Sequence, residues 1–97
     1  MNNFGDQIRI AREKKGLFLR QVAAEIEIDQ AIISKFERNE RKPTREQVMK
    51  FATFYKIDNE TLLIEWLSDK IASELQGDYF ANKVLKATKN KLEVLNK

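Results

Sequence analysis

The stretch from Leu19 to Glu37, LRQVAAEIEIDQAIISKFE, constrains the fold more than any other part of the chain. Val22, Ala23 and Ile26 recur at helical spacing and share one face. Ile28 is apolar in a short break, and Asp29 then stands where a helix N-cap accepts free amide hydrogens. In the segment that follows, Ile33 and Phe36 fall on the inward side, while Gln30, Ala31, Ser34 and Lys35 fall on the other. Two short helices meeting at a tight turn are expected, with the rest of the chain organised around them.

The flanks supply further helices. Phe4, Ile8 and Ala11 share a face of a helix expected from about Phe4 to Lys15, with Gly16 as its stop. Leu17 and Phe18 are expected to pack as the chain turns into the next helix. Thr44 with Gln47 three residues on forms a capping box, after which Val48, Phe51, Ala52 and Tyr55 face a core. Asp58 or Asn59 opens another helix, in which Leu62, Leu63, Trp66, Leu67, Ile71 and Leu75 make a wide apolar stripe. Gly77 ends it, and Asp78 is the expected cap of a last helix. There Ala81, Leu85, Thr88, Leu92 and Leu95 repeat at heptad spacing.

Composition removes several classes. The chain has no strand-like alternation and only one Pro and three Gly, so an all-α fold is expected. The absence of Cys excludes disulfides and fits a reducing cytosol; with no His either, the usual zinc ligands are missing, and no metal is expected. No cofactor is implied. The charged N-terminal segment predicts no signal peptide, and the longest apolar run, Leu62-Leu63-Ile64, is far too short for a membrane span. The net charge of +3 resides in residues 1–58, which hold 12 Lys or Arg against 9 acids. Residues 59–78 carry one Lys against five acids and residues 79–97 five Lys against one Glu, so the tail is an acidic helix followed by a basic one. There is no His base, Gly-rich phosphate loop or nucleophile motif, so neither catalytic residues nor an enzyme are expected. Glu65 and Asp69 share a helix face, a spacing that reads as solvated surface.

Taken together these features resemble the helix-turn-helix of the Cro and phage-repressor family. The likeness rests on Ala23, on the apolar positions Val22, Ile26, Ile28, Ile33 and Phe36, and on the run ISKFER from Ile33 to Arg38. It extends through IRIAREKKGL (Ile8 to Leu17) and RKPTREQVMKFA (Arg41 to Ala52), roughly residues 5 to 58 in all. It implies a lambda-repressor-like domain of four to five helices with an additional C-terminal helix. The division expected is a DNA-binding domain over 1–58 and a helical extension over 59–97. The chain departs from the family at three places. Phe18 and Leu19 replace the Ser or Thr and the Gln that open the second helix, so Leu19 lacks that Gln's phosphate contact and packing must hold the start of the helix. Glu27 replaces the turn Gly, where a Cβ costs roughly 1–2 kcal/mol in a left-handed conformation. Asn39 replaces another Gly, a mild change.

The resemblance makes the second of the two central helices a reader of bases. Gln30 at its N-terminal end suits adenine in the major groove, and Ala31 offers a methyl to thymine. Ser34 can bond a base, a phosphate or its own backbone. Lys35 can reach guanine or a phosphate, and Ile32 is either partly buried or against a thymine methyl. Arg38, Arg41, Lys42 and Arg45 surround the following loop as candidate phosphate contacts. Arg12 and Glu37 occupy the family positions of an ion pair that braces the first helix against the recognition helix. Trp66, Leu67, Ile71, Leu85, Leu92 and Leu95 are the expected dimer contacts. The function implied is a cytoplasmic, sequence-specific transcriptional regulator, a repressor or controller that binds a palindromic duplex-DNA operator as a homodimer. The alternative is an antitoxin-like module whose helical tail binds another protein.

Overall fold

In the computed structural model, which describes residues 3–97, six helices follow one another. They are α1 (Phe4–Lys14), α2 (Leu19–Ile26), α3 (Gln30–Glu37), α4 (Arg45–Tyr55), α5 (Asn59–Leu75) and α6 (Ala81–Leu95). The described residues contain no strand, and the fold is all-α. No helix among them is long and apolar enough to cross a membrane.

Local signals start most of the helices. The Asn3 side chain accepts the Asp6 amide at 2.9 Å for α1, and Asp29 Oδ1 accepts the Ala31 and Ile32 amides at 2.8 and 3.3 Å for α3. At α4, Thr44 Oγ1 accepts the Gln47 amide and Gln47 Oε1 accepts the Thr44 amide, the reciprocal arrangement of a capping box. Asp58 receives the Thr61 amide for α5. The start of α2 differs from the expectation. Phe18 does not pack inward: its ring is 59% exposed, with the Arg20 guanidinium 4.5 Å above it. The Phe18 amide instead donates to Gln21 Oε1 at 2.7 Å, while Leu17 and Leu19 make the packing contact. Asp78 is also corrected, since α6 begins at Ala81 and the Asp78 carboxylate serves the preceding turn by accepting the Phe80 amide.

The core is assembled from α1 to α5. Ile8, Val22, Ile33, Phe36, Val48, Phe51 and Leu62 are sealed from solvent. Phe51 sits among aromatic rings, edge-on to Phe4 and Phe36 and stacked on Tyr55. Such pairs add roughly 0.5–1.5 kcal/mol each beyond area burial.

The wide stripe of α5 divides into two opposed faces. Leu62 and Trp66 enter the core, so the core continues beyond residue 58. Ile64, Leu67 and Ile71 face away and are exposed. Trp66 is therefore not an inter-chain contact: its own chain buries it, and its indole N–H donates to the Pro43 carbonyl at 2.9 Å. Helix α6 buries none of its residues and is not packed on α5 within the chain.

Two contacts set how α1 approaches the other helices. Asp69 is not idle surface: its carboxylate accepts the Phe4 amide at 2.8 Å, placing a negative charge from α5 at the α1 N-terminus. Gly5 is buried where α1 meets the end of α3, and a Cβ there would stand 2.5 Å from the Phe36 carbonyl oxygen. That neighbour is backbone and cannot swing aside. Gly5→Ala is expected to force α1 away from α3 and to cost roughly 1–3 kcal/mol. Urea denaturation checks this, and an unchanged midpoint would mean that the two helices are not in such close contact.

Candidate nucleic-acid interface

Helix α2 ends at Glu27, whose φ of 56° is the left-handed geometry expected of the turn. The Lys50 ammonium reaches across from α4 to the Ile26 carbonyl at 3.4 Å, giving the C-terminal end of α2 a cationic partner. Ile28 is buried in the turn, and α3 starts at Gln30. The turn thus reverses the chain between two helices of eight residues each.

Helix α3 has two unlike sides. Ile33, Phe36 and Glu37 are buried, whereas Gln30, Ala31 and Lys35 are exposed on the outer face. Ile32 is half-buried and packs against the core, which resolves its two readings toward packing. Ser34 is half-buried as well, and its hydroxyl accepts a hydrogen bond from Arg38 Nη1 at 3.0 Å. Asp29 engages the first amides of α3, and the Gln30 side chain stands exposed beside that cap.

The basic residues after α3 are of two kinds. Arg38 also donates to Glu40 at 2.9 Å, but both side chains are more than half exposed. An exposed pair of this kind is worth only about 0–1 kcal/mol, so a phosphate can replace Glu40 at little cost. Arg41, Lys42 and Arg45 are exposed and form no ion pair among the described residues. Between them, Pro43 is buried and held through its carbonyl by Trp66, which anchors the loop bearing Arg41 and Lys42 to α5. Asn39, with φ 60°, closes the loop on α1 by donating from its side-chain amide to Asn3 at 3.0 Å.

Arg12 and Glu37 meet in a two-pronged contact, Nε to Oε2 at 2.8 Å and Nη2 to Oε1 at 2.9 Å. The third guanidinium nitrogen, Nη1, donates to the Leu17 carbonyl at 3.0 Å, so one side chain ties together α1, the α1–α2 turn and the end of α3. The Glu37 side chain is only 5% exposed. The bond to Glu37 raises the Arg12 pKa further above its ordinary range, and the guanidinium remains charged. The Tyr55 hydroxyl is buried without a hydrogen-bond partner among the described residues. Burial, and then the nearby Glu37 charge, push its pKa upward, so it stays protonated well beyond neutral pH.

The expected tail contacts other than Trp66 are open to solvent: Leu67, Ile71, Leu85, Leu92 and Leu95 are all exposed. Gly5, Asp69 and Lys50 also determine how the interface is held, and none of the three stands among the candidate residues expected from the sequence. A glycine in the first turn of α1 is the one signal among them that the sequence displays.

Residues 8–58 match the family described as helix-turn-helix. No curated protein and no solved structure matches the chain.

The brace yields a direct expectation. Arg12→Met and Glu37→Gln should each lower the melting temperature, and their double-mutant cycle should show coupling of about 0.5–3 kcal/mol. Additive effects would contradict a direct contact. Tyr55→Phe removes a buried hydroxyl that has no partner among the described residues, and thermal unfolding should show it neutral or slightly stabilising.

Proposed function

The chain belongs to the helix-turn-helix family of the Cro and phage-repressor type, and on that footing we propose that it is a transcriptional regulator that binds a palindromic operator as a homodimer. The observation that carries this reading is the outer face of α3, where Gln30, Ala31 and Lys35 stand exposed on a helix whose other side is fixed in the core. Gln30 reads adenine through its amide, Ala31 meets a thymine methyl, and Lys35 reaches guanine or an adjacent phosphate. Ser34 joins them once Arg38 turns to the backbone. Arg38, Arg41, Lys42 and Arg45 hold phosphates beside the groove and set the register. The regulator acts in the cytoplasm, most simply by repression through occlusion of a promoter.

In this reading residues 1–58 bear the DNA-contacting surface, and residues 59–97 join two copies, with the core-facing side of α5 shared between the two tasks. An antitoxin-like module that holds another protein is favoured by one observation: among the described residues, ten of the eleven exposed large hydrophobics lie between Ile64 and Leu95, on α5, α6 and the turn that joins them. The same surface serves a dimer, and DNA affinity separates the two. On random duplex DNA, affinity should fall with salt at a slope of several counterions, whereas a protein-binding module would show almost none.

Base reading has its own test. With an operator selected from random duplexes, Gln30→Ala should weaken binding by about 1–3 kcal/mol and leave random DNA nearly unaffected. Equal losses on both would remove Gln30 from base reading. A chain ended after Gln76 should keep its core, dimerise more weakly in sedimentation and lose most operator affinity. An undiminished dimer would exclude α6 from the interface.

A further inference from the structure

Helix α5 carries a second apolar stripe that its own chain leaves bare. Ile64, Leu67 and Ile71 follow one another at spacings of three and four, on the side opposite Leu62 and Trp66, and all three are exposed. Leu63, Ile64 and Leu67 line a shallow, mainly apolar groove edged by Arg45 and Glu60. Helix α6 shows the matching half, with Leu85, Leu92 and Leu95 exposed on one face. A free helix of this length is marginal in water, so α6 gains its stability from a partner surface.

Charge selects which surface. On α6, Lys89 stands one turn from both Leu85 and Leu92, and Lys91 one turn before Leu95, so exposed ammonium groups border the seam on both sides. Pairing α6 with the α6 of another copy would bring these lysines together. On α5, Glu60 lies one turn before Ile64 and Glu74 just beyond Ile71, both exposed. Two α5 stripes would likewise oppose carboxylates. The unlike combination removes both conflicts, and within one chain α6 is not packed along α5.

We infer that α6 of one copy packs its Leu85–Leu92–Leu95 seam against the Ile64–Leu67–Ile71 stripe of the α5 of a second copy, and that the contact is made twice, reciprocally. The inference rests on the homodimer proposed above and specifies its interface. Two-fold symmetry then generates both contacts from one complementary pair of surfaces. Lys89 and Lys91 then flank the middle of the stripe with Glu60 and Glu74 toward its two ends, so the basic α6 lies along the acidic α5, and the exchange fills the groove next to Arg45. The occupied surface thereby adjoins the residues assigned to phosphate, so that forming the dimer and presenting the reading head become one event.

Charge reversal in the full-length chain tests the exchange, because none of the four charged residues lies in the core. One variant carries Glu60→Lys with Glu74→Lys, the other Lys89→Glu with Lys91→Glu. By sedimentation at low salt each alone should dimerise roughly 3–10-fold more weakly than the unaltered protein, since helices of like charge then lie along each other at both contacts. An equimolar mixture should recover a dimer containing one chain of each kind. Full dimerisation of the α5 variant alone would overturn the exchange in favour of an α6–α6 contact. Failure of the mixture to recover would overturn it too, because the charged α5 and α6 would then not share an interface. If the unaltered protein is itself a monomer, the homodimer fails and the exchange falls with it, leaving the bare faces to another protein. That result is distinct from either failure of the variants.

Discussion

The contact of Arg12 with Glu37 is the interaction on which the presentation of α3 depends. A helix of eight residues has too few internal hydrogen bonds to persist alone, and its pose must come from its surroundings. Ile33 and Phe36 hold one side in the core, but apolar packing is tolerant of small rotations. The forked, largely buried ion pair is not, because both carboxylate oxygens are matched to the planar guanidinium. Gly5 allows α1 to lie close enough for that bond to form, and Asn3 with Asn39 closes the same seam nearer the surface. Losing one member would leave a charge in a site that excludes water, the costly way to break a buried pair.

A second dependence runs through α5. One side of this helix completes the core through Leu62 and Trp66, and Trp66 in turn holds Pro43 and the basic loop. Its other side is bare. In the proposed homodimer this helix would join the reading head to the assembling tail, giving a route from the pairing of two chains to the placement of Arg41, Lys42 and Arg45. Two modest and separately weak elements, a polar helix face and an unpartnered amphipathic tail, become effective when coupled in this way.

What the sequence reveals here follows the range of the forces involved. Caps such as Asp29 and the Thr44–Gln47 pair are legible because donor and acceptor lie within one turn of each other. The left-handed turn at Glu27 is legible from its place between two periodic segments. The six helices and the helix-turn-helix were readable for the same reason. Asp69 was not, since its partner is the Phe4 amide, 65 residues away, and two acids at helical spacing look the same whether solvated or engaged. Apolar periodicity marked a wide stripe on α5 without showing that Trp66 and Leu67 point to different surroundings. For Phe18 the pattern misleads, because an aromatic ring next to a turn looks like core material, whereas Gln21 Oε1 accepts the Phe18 amide and the ring stays exposed.

The central claim is that two copies of this chain hold their α3 helices rigidly, one DNA turn apart. The chain has no cysteine, so Ala31→Cys introduces a single site for a spin label on the outer face of α3. Dipolar electron-spin measurements on the full-length dimer should give one narrow distance distribution near 34–36 Å, broadened only by the label linkers. A broad distribution, a centre far from that spacing, or no dipolar coupling at concentrations where the protein is dimeric would contradict the account.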